Sequence, residues 1–321
     1  MALEKLELSK LQAELQQSDA EWQAGVTSVS ELSEEEQRLY LGYIPGPGEP
    51  SLDASGQVTH TNLAAVGTEV HGIGAPTAYD LRNVDGKNFI TSVKNQGACG
   101  SGVAFAIVAA VEGTFRVQRG DPNLAIDLSE AHLFYCHARA QGRTCSTGWW
   151  IDPALDAFKN PGVADEACYP YVGGDQNCSN LCEDWQSRVT KITAWHTITS
   201  PAEMKTWLST RGPLVTAFNV YSDFYSYKSG VYRHVTGSSV GGMIVCCVGY
   251  NDAGGYWICK TSWSTAWGEG GFFKIAYGEG GIDAKMYAID GIEETGWLND
   301  KRITGLWANS LDRNAWVYIA G

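Results

Sequence analysis

Residues Val93 to Gly113 read VKNQGACGSGVAFAIVAAVEG, and the chemistry of this stretch is concentrated in Cys99, Gly100, Ser101 and Gly102. A Gly-rich turn runs straight into an apolar, Ala- and Val-rich helical pattern, the arrangement that presents the first residues of a helix to a ligand or substrate. Nine cysteines lie at 99, 136, 145, 168, 178, 182, 246, 247 and 259. The first six, Cys99, Cys136, Cys145, Cys168, Cys178 and Cys182, sit in Gly- and polar-rich surroundings. They suggest up to three disulfides and an oxidising destination such as the secretory route, with a connectivity that spacing does not fix. Cys178 and Cys182 have the short spacing of metal ligands, but no second close pair accompanies them, so neither a metal nor another cofactor is expected. Cys246, Cys247 and Cys259 fall inside the apolar runs MIVCCVGY and YWICK and read as thiols of buried strands.

The chain that must position these groups has 321 residues, enough to bury a sizeable core in one large domain or two ordinary ones. A hydrophobic share of 44%, with 12 Trp and 15 Tyr, argues for a globular protein. No apolar run approaches the roughly 20 residues of a membrane helix, so a soluble protein is expected. The net charge of -13 is uneven, because residues 1–75 hold 12 Asp and Glu against 3 Lys and Arg. Neither part carries the basic patch that nucleic acid or an anionic membrane requires, and both partners are excluded. The N-terminal MALEKLELSKLQAEL has charges where a secretory apolar region would stand, so no signal peptide is expected within this chain.

Leu3, Leu6, Leu11, Leu15 and Trp22 recur near helical spacing, and Ser33 followed by Glu36 is a capping box that opens a second short helix. PGPGEP, from Pro45 to Pro50, begins an aperiodic connector that reaches about Ala75. A compact domain follows, with a strong helix over 101–118, a mostly polar loop region to about 190, and a helix over 200–211 between a Ser-Pro start and a Gly-Pro stop. PLVTAFNV, SGVYRHV, GMIVCCVGYND, GYWICKTSW and GFFKIAYG then read as short strands of an antiparallel sheet or small barrel. The tail from 295 to 321 adds two aromatic, strand-like runs and reads as an extension, the start of a further module.

Gln96, Gly97, Ala98, Cys99, Gly100, Ser101, Gly102, Val103, Ala104 and Phe105 resemble the signature of the papain-like cysteine proteases. LSEAHLFYC (128–136), CSTGW (145–149), ACYPY (167–171), GPLVTAF (212–218), YKSGVY (227–232), VGYND (248–252), YWICKTSW (256–263), WGEGGFFKI (267–275) and GID (281–283) line up in the same order. The resemblance covers about residues 76–294 and implies an α+β fold of two lobes, a helical half led by the 101–118 helix and a β half from about 212 to 290, with the cleft between. It also implies that residues 1–75 correspond to the inhibitory propeptide of a zymogen.

The mechanism implied by the resemblance uses a thiolate at a helix N-terminus, an imidazole beside it, an Asn that orients the imidazole, and a Gln side chain that helps hold the oxyanion. Gln96 matches the oxyanion donor. At the other three positions the chain has Gly102 for the nucleophile, Met243 for the base and Thr261 for the orienter, none of which can do the work. The resemblance pairs Cys99 with Cys145 in a disulfide and turns Ser101 away from the cleft. The histidines at 60, 71, 132, 137, 196 and 234 lie outside the strand that should carry the base. Proteolysis by this mechanism is therefore expected to be absent, and with it self-processing near residue 75. The groove is better kept: Gly148 and Trp149 match its substrate-pairing wall, Trp263 the shielding indole, and Gly242 the strand opposite. A peptide or protein segment is the expected partner, the chain's own residues 50–75 among the candidates. Gly102, Val103, Met243, Thr261 and Trp263 would wall a roomier, more apolar centre, which leaves two other readings open: a site rebuilt, naturally or by design, for a small apolar ligand, and an inert scaffold.

Overall fold

The computed structural model describes residues 6–47 and 74–293. The connector after Pro47, His60, His71 and the tail beyond Glu293 lie outside the described residues.

The N-terminal segment contributes α1 (Leu8–Gln17), β1 (Trp22–Ala24) and α2 (Glu34–Leu39). The capping box is present: Ser33 accepts from the Glu36 amide while the Glu36 carboxylate accepts from the Ser33 amide. Trp22 departs from the helical expectation. The chain leaves α1 at Ser18 and passes through Asp19 at φ 50°, so Trp22 enters a strand and is buried against Tyr227 and Tyr232. Its periodicity with Leu11 and Leu15 reflected burial, and not a shared helix.

The body begins with β2 (Ala78–Asp80) and α3 (Gly102–Arg119), which is buried without interruption from Gly102 to Phe115. Gly120 ends α3 in the left-handed conformation, after Arg116 and Arg119 have placed positive charge in its last turn. The region expected as polar loop holds more order than its composition suggested. His132–Ala138 forms a π-helical turn, and α4 (Ile151–Lys159) buries Ile151, Ala154, Leu155 and Phe158 at helical spacing. A short ladder, β3 (Val163–Ala164) with β4 (Val189–Thr190), closes this half.

The second half contains β5 (Trp195–Ile198), α5 (Pro201–Thr210), β6 (Leu214–Tyr221), β7 (Tyr227–Tyr232), β8 (Ser239–Asn251), β9 (Tyr256–Lys260), β10 (Phe272–Ala276) and β11 (Met286–Ile289). Ser200 caps α5 and Pro201 opens it, as its sequence demanded. The strands form one sheet in the order β1-β7-β10-β9-β8-β6-β11-β5, with β2 on β8. Its pairs are antiparallel except β7 with β10. α3 packs on β8, so the first turn of the helix and the Gly241–Met243 end of the strand come from opposite halves. The α+β expectation of a helical half and a β half holds.

Six cysteines pair as Cys99–Cys145, Cys136–Cys178 and Cys168–Cys182. Cys246, Cys247 and Cys259 are buried and reduced. No cluster of potential metal ligands occurs among the described residues.

Candidate active-site cleft

Gly102 is the first residue of α3, at the positive end of the helix dipole. A Cβ there would lie 3.1 Å from Gln96 Oε1 and 3.3 Å from the Leu41 carbonyl oxygen. Gln96 is fully buried and its amide is fixed at both ends. Ser262 Oγ donates to Oε1 at 2.5 Å, while Nε2 donates to the Cys99 carbonyl at 2.8 Å and the Tyr40 carbonyl at 3.2 Å. The Gln96 amide N–H donates to the Ser262 carbonyl, which ties the Gln to the Lys260–Trp263 run. Trp263, also buried, donates from Nε1 to the same Tyr40 carbonyl at 3.0 Å. Two side-chain donors therefore converge on one carbonyl of the N-terminal segment.

Thr261 has committed its polar groups elsewhere: both its N–H and its hydroxyl donate to the Gly271 carbonyl, each at 2.9 Å. Met243 is buried on β8 opposite Phe218 and brings only a thioether. Val103 is buried in the core of α3. Ser101 is buried too, its hydroxyl 2.7 Å from Tyr171 Oη, and Cys99 is held in its disulfide. Of the histidines, His196 pairs with Asp290, His234 pairs with Asp223, and His132 and His137 lie against each other.

What the sequence did not reveal is the occupant of the groove. Residues 39–44 run through it. Gly42 accepts from the Trp149 amide at 3.0 Å, Ile44 donates to the Trp149 carbonyl and Tyr43 donates to the Gly242 carbonyl, both at 3.2 Å, so the segment is laced to both walls. Gly42 stands at φ +82°, and a Cβ on it would lie 2.5 Å from the Gly100 oxygen; a Cβ on Gly148 would strike the Gly42 carbonyl. Three glycines from distant parts of the chain thus meet backbone to backbone. Leu41 fills the centre, its carbonyl facing Gly102 and its Cδ1 3.1 Å from where a Cβ of Gly241 would lie. The expectation for residues 50–75 falls mainly on residues outside those described; the segment seen in the groove is the one just after α2. A glycine between two bulky residues, Leu41 and Tyr43, directly after a capped helix was the available signal.

Below the cleft lies a buried ionic network. Lys94 reaches Asp127 at 2.6 Å and Glu130 at 2.9 Å. Burial works against the Lys94 charge, but Glu130 and Glu112 outweigh it and hold the ammonium well above its usual range. Burial pushes the Glu130 carboxyl up to about 8, with Lys94 pulling the other way. Glu112 accepts from Thr91 Oγ1 at 2.6 Å and from the Leu128 amide at 2.8 Å, and Thr91 accepts from Lys260 Nζ at 3.2 Å. Burial lowers the Lys260 pKa, and Glu112 pulls it back. Removing Glu112 leaves the buried Thr91 hydroxyl and Leu128 amide without their acceptor and the buried Lys260 ammonium without a nearby carboxylate charge. Glu112→Ala is expected to cost about 3–5 kcal/mol in urea unfolding.

A second expected outcome concerns acid. His132 Nδ1 accepts from the Ala164 amide at 3.0 Å, and burial, aided by His137, lowers its pKa to about 3. A base whose folded pKa is depressed contributes stability above its unfolded value that is lost as pH falls. Between pH 6.5 and 3 the unfolding midpoint of the wild-type chain should fall more steeply than that of His132→Asn, and parallel curves would remove His132 from the acid response.

Residues 75–290 match the family described as Papain family cysteine protease. The chain is 37% identical over 232 residues to cathepsin B-like CP3 of Giardia intestinalis, spanning 68% of this chain and 75% of that protein. It is 36% identical over 211 residues to cathepsin B-like CP2 of the same organism, spanning 62% and 68%. The fold is similar to that of procathepsin B S9 from Trypanosoma congolense, with a TM-score of 0.71 at 24% identity over 90% of this chain and 99% of that one. It is likewise similar to procathepsin L2 from the larval midgut of Tenebrio molitor, with a TM-score of 0.68 at 26% identity over 88% of each chain. A match that spans both halves and the cleft between them leaves one assignment: the chain belongs to the papain family of cysteine proteases.

Proposed function

We propose that this chain is a proteolytically inactive member of its family, a binder of extended peptide segments whose groove is closed by its own residues 39–44. The observation that carries the reading is at Gly102. The helix N-terminus that would activate a thiolate carries no side chain, and the Leu41 carbonyl oxygen lies 3.3 Å from where its Cβ would stand. Met243 and Thr261 support it, since the first has no proton to exchange and the second spends its hydroxyl on Gly271. The Tyr40 carbonyl accepts from Gln96, the side-chain donor that the resemblance gives to an oxyanion, and the Trp263 indole donates to the same carbonyl. Binding without cleavage is what remains: a ladder of backbone hydrogen bonds along Trp149 and Gly242, with an apolar seat at the centre.

The test is turnover of a quenched peptide library under reducing, mildly acidic conditions. The wild-type chain should stay at background, and purified protein should keep residues 1–75 attached. Cleavage by the wild-type chain, or spontaneous processing near residue 75, would overturn the reading.

A further inference from the structure

We propose that Cys247 and Cys259 form a dithiol–disulfide pair, a redox modification site in the β half that closes as a fourth disulfide across β8 and β9. The two residues stand directly opposite in the antiparallel register of these strands. Opposed residues share a face of the sheet with Cα atoms about 4.5–5.5 Å apart, inside the window of about 4.4–6.8 Å that a disulfide spans. Both side chains are fully buried, and Cys247 Sγ donates to the Gly249 carbonyl at 3.7 Å. Burial raises the Cys259 thiol well above its usual range, and contact with Cys247 raises it further. Cys246 is the neighbour that could compete, but successive residues of a strand face opposite ways. Its charged neighbours are Lys260 and Glu112 of the interlobe network, and it sits opposite Lys260 in register. Three other cysteine pairs of the chain are bridged, so the pair resides in a protein already committed to thiol–disulfide exchange.

The oxidant required is a low-molecular-weight or protein disulfide. Cys247 loses its proton and attacks one sulfur of that disulfide, forming a mixed disulfide and releasing one thiolate. Cys259 then loses its proton and attacks Cys247 Sγ, forming the cross-strand bond and expelling the second thiolate. The two thiols are oxidised, the external disulfide is reduced to two thiols, and the two protons go to the leaving groups. Because thiolate is scarce at buried cysteines, the exchange runs when the hairpin between the two residues opens, during folding or by local fluctuation. The consequence reaches the groove. β8 carries Gly241, Gly242 and Met243, and β9 leads directly into Thr261 and Trp263, so the bond staples together the two strands that hold one wall.

The experiment uses the full chain and oxidised glutathione as the probe, applied both to the native protein and throughout refolding. Thiols are counted by alkylation in denaturant, and bridged peptides are mapped by mass. The expected result is a fall from three alkylatable thiols to one, with a 247–259 cross-link. Cys246→Ala should fall from two to none, and Cys259→Ala should form no cross-link and stop at the glutathione adduct of Cys247. For the wild-type chain, a count that stays at three in both regimes, a bridge through Cys246, or glutathione adducts that persist would each overturn the proposal.

Discussion

Gly102→Cys, Met243→His and Thr261→Asn introduced together should convert background turnover of a peptide library into measurable hydrolysis, a gain of at least about 10⁴-fold. The expectation follows from what already stands around Gly102. The new thiol would sit at the first residue of α3, where the helix dipole favours a thiolate. Gln96 is already held by Ser262, its amide nitrogen donating to the Cys99 carbonyl and to the Tyr40 carbonyl of the segment in the cleft. The new Cβ must settle 3.1 Å from Gln96 Oε1 and 3.3 Å from the Leu41 carbonyl, so a few tenths of an ångström of adjustment are required of a side-chain end and of the N-terminal segment. The single variants should gain little, because a thiol without a base, or an imidazole without a nucleophile, completes no catalytic unit. Hydrolysis should appear first on the chain's own N-terminal segment, which lies against the new nucleophile. A folded triple variant with no activity on any peptide would show that the groove does not present substrate to residue 102.

Gly42→Ala should expel residues 39–44 from the groove. The position is held at φ +82°, which a residue with a Cβ adopts only at a cost of about 1–3 kcal/mol. The added methyl also meets the Gly100 carbonyl at 2.5 Å, and neither partner can yield, since both are backbone. Every 1.4 kcal/mol is about a factor of ten in the opening equilibrium, so the Tyr43 and Ile44 amides should exchange with deuterium at least tens of times faster. New proteolytic cuts should appear between Leu39 and Ile44 while α3 and the sheet stay protected. Unchanged exchange at these two amides would mean that the glycine contact contributes little to closure. The same variant provides the open form in which binding of external peptides can be measured by titration.

The elements with strong local signals were legible in the sequence: the Ser33–Glu36 box, the Ser200-Pro201 start of α5, the glycine after α3, and the β-rich runs of the second half. α4 was not, although Ile151, Ala154, Leu155 and Phe158 follow helical spacing, because polar loops on either side and a proline at 153 obscure a nine-residue helix. The motifs around Gly102, Met243 and Thr261 were legible as a family resemblance, yet the partners of these residues in the fold were not. That Gly102 faces the Leu41 carbonyl, that Thr261 spends its hydroxyl on Gly271, and that Glu112 anchors a buried network are all long-range facts. The course of residues 39–44 was illegible for the same reason. Its glycine is explained only by Gly100 and Gly148, some 58 and 106 positions away in the chain.

The pairing of β1 with β7 carries a consequence for colloidal behaviour. β7 has β10 on one side, and on the other only the three residues Trp22–Ala24 of the N-terminal segment. Detaching that segment does more than open a groove. It bares the hydrogen-bonding rim of an interior strand and the aromatic surface of Tyr227 and Tyr232 that Trp22 had covered, the kind of unprotected edge on which chains add to one another. A form trimmed to the body alone should therefore self-associate at concentrations where the intact chain stays dispersed, and the N-terminal segment acts as a solubility device whether or not anything is ever cleaved.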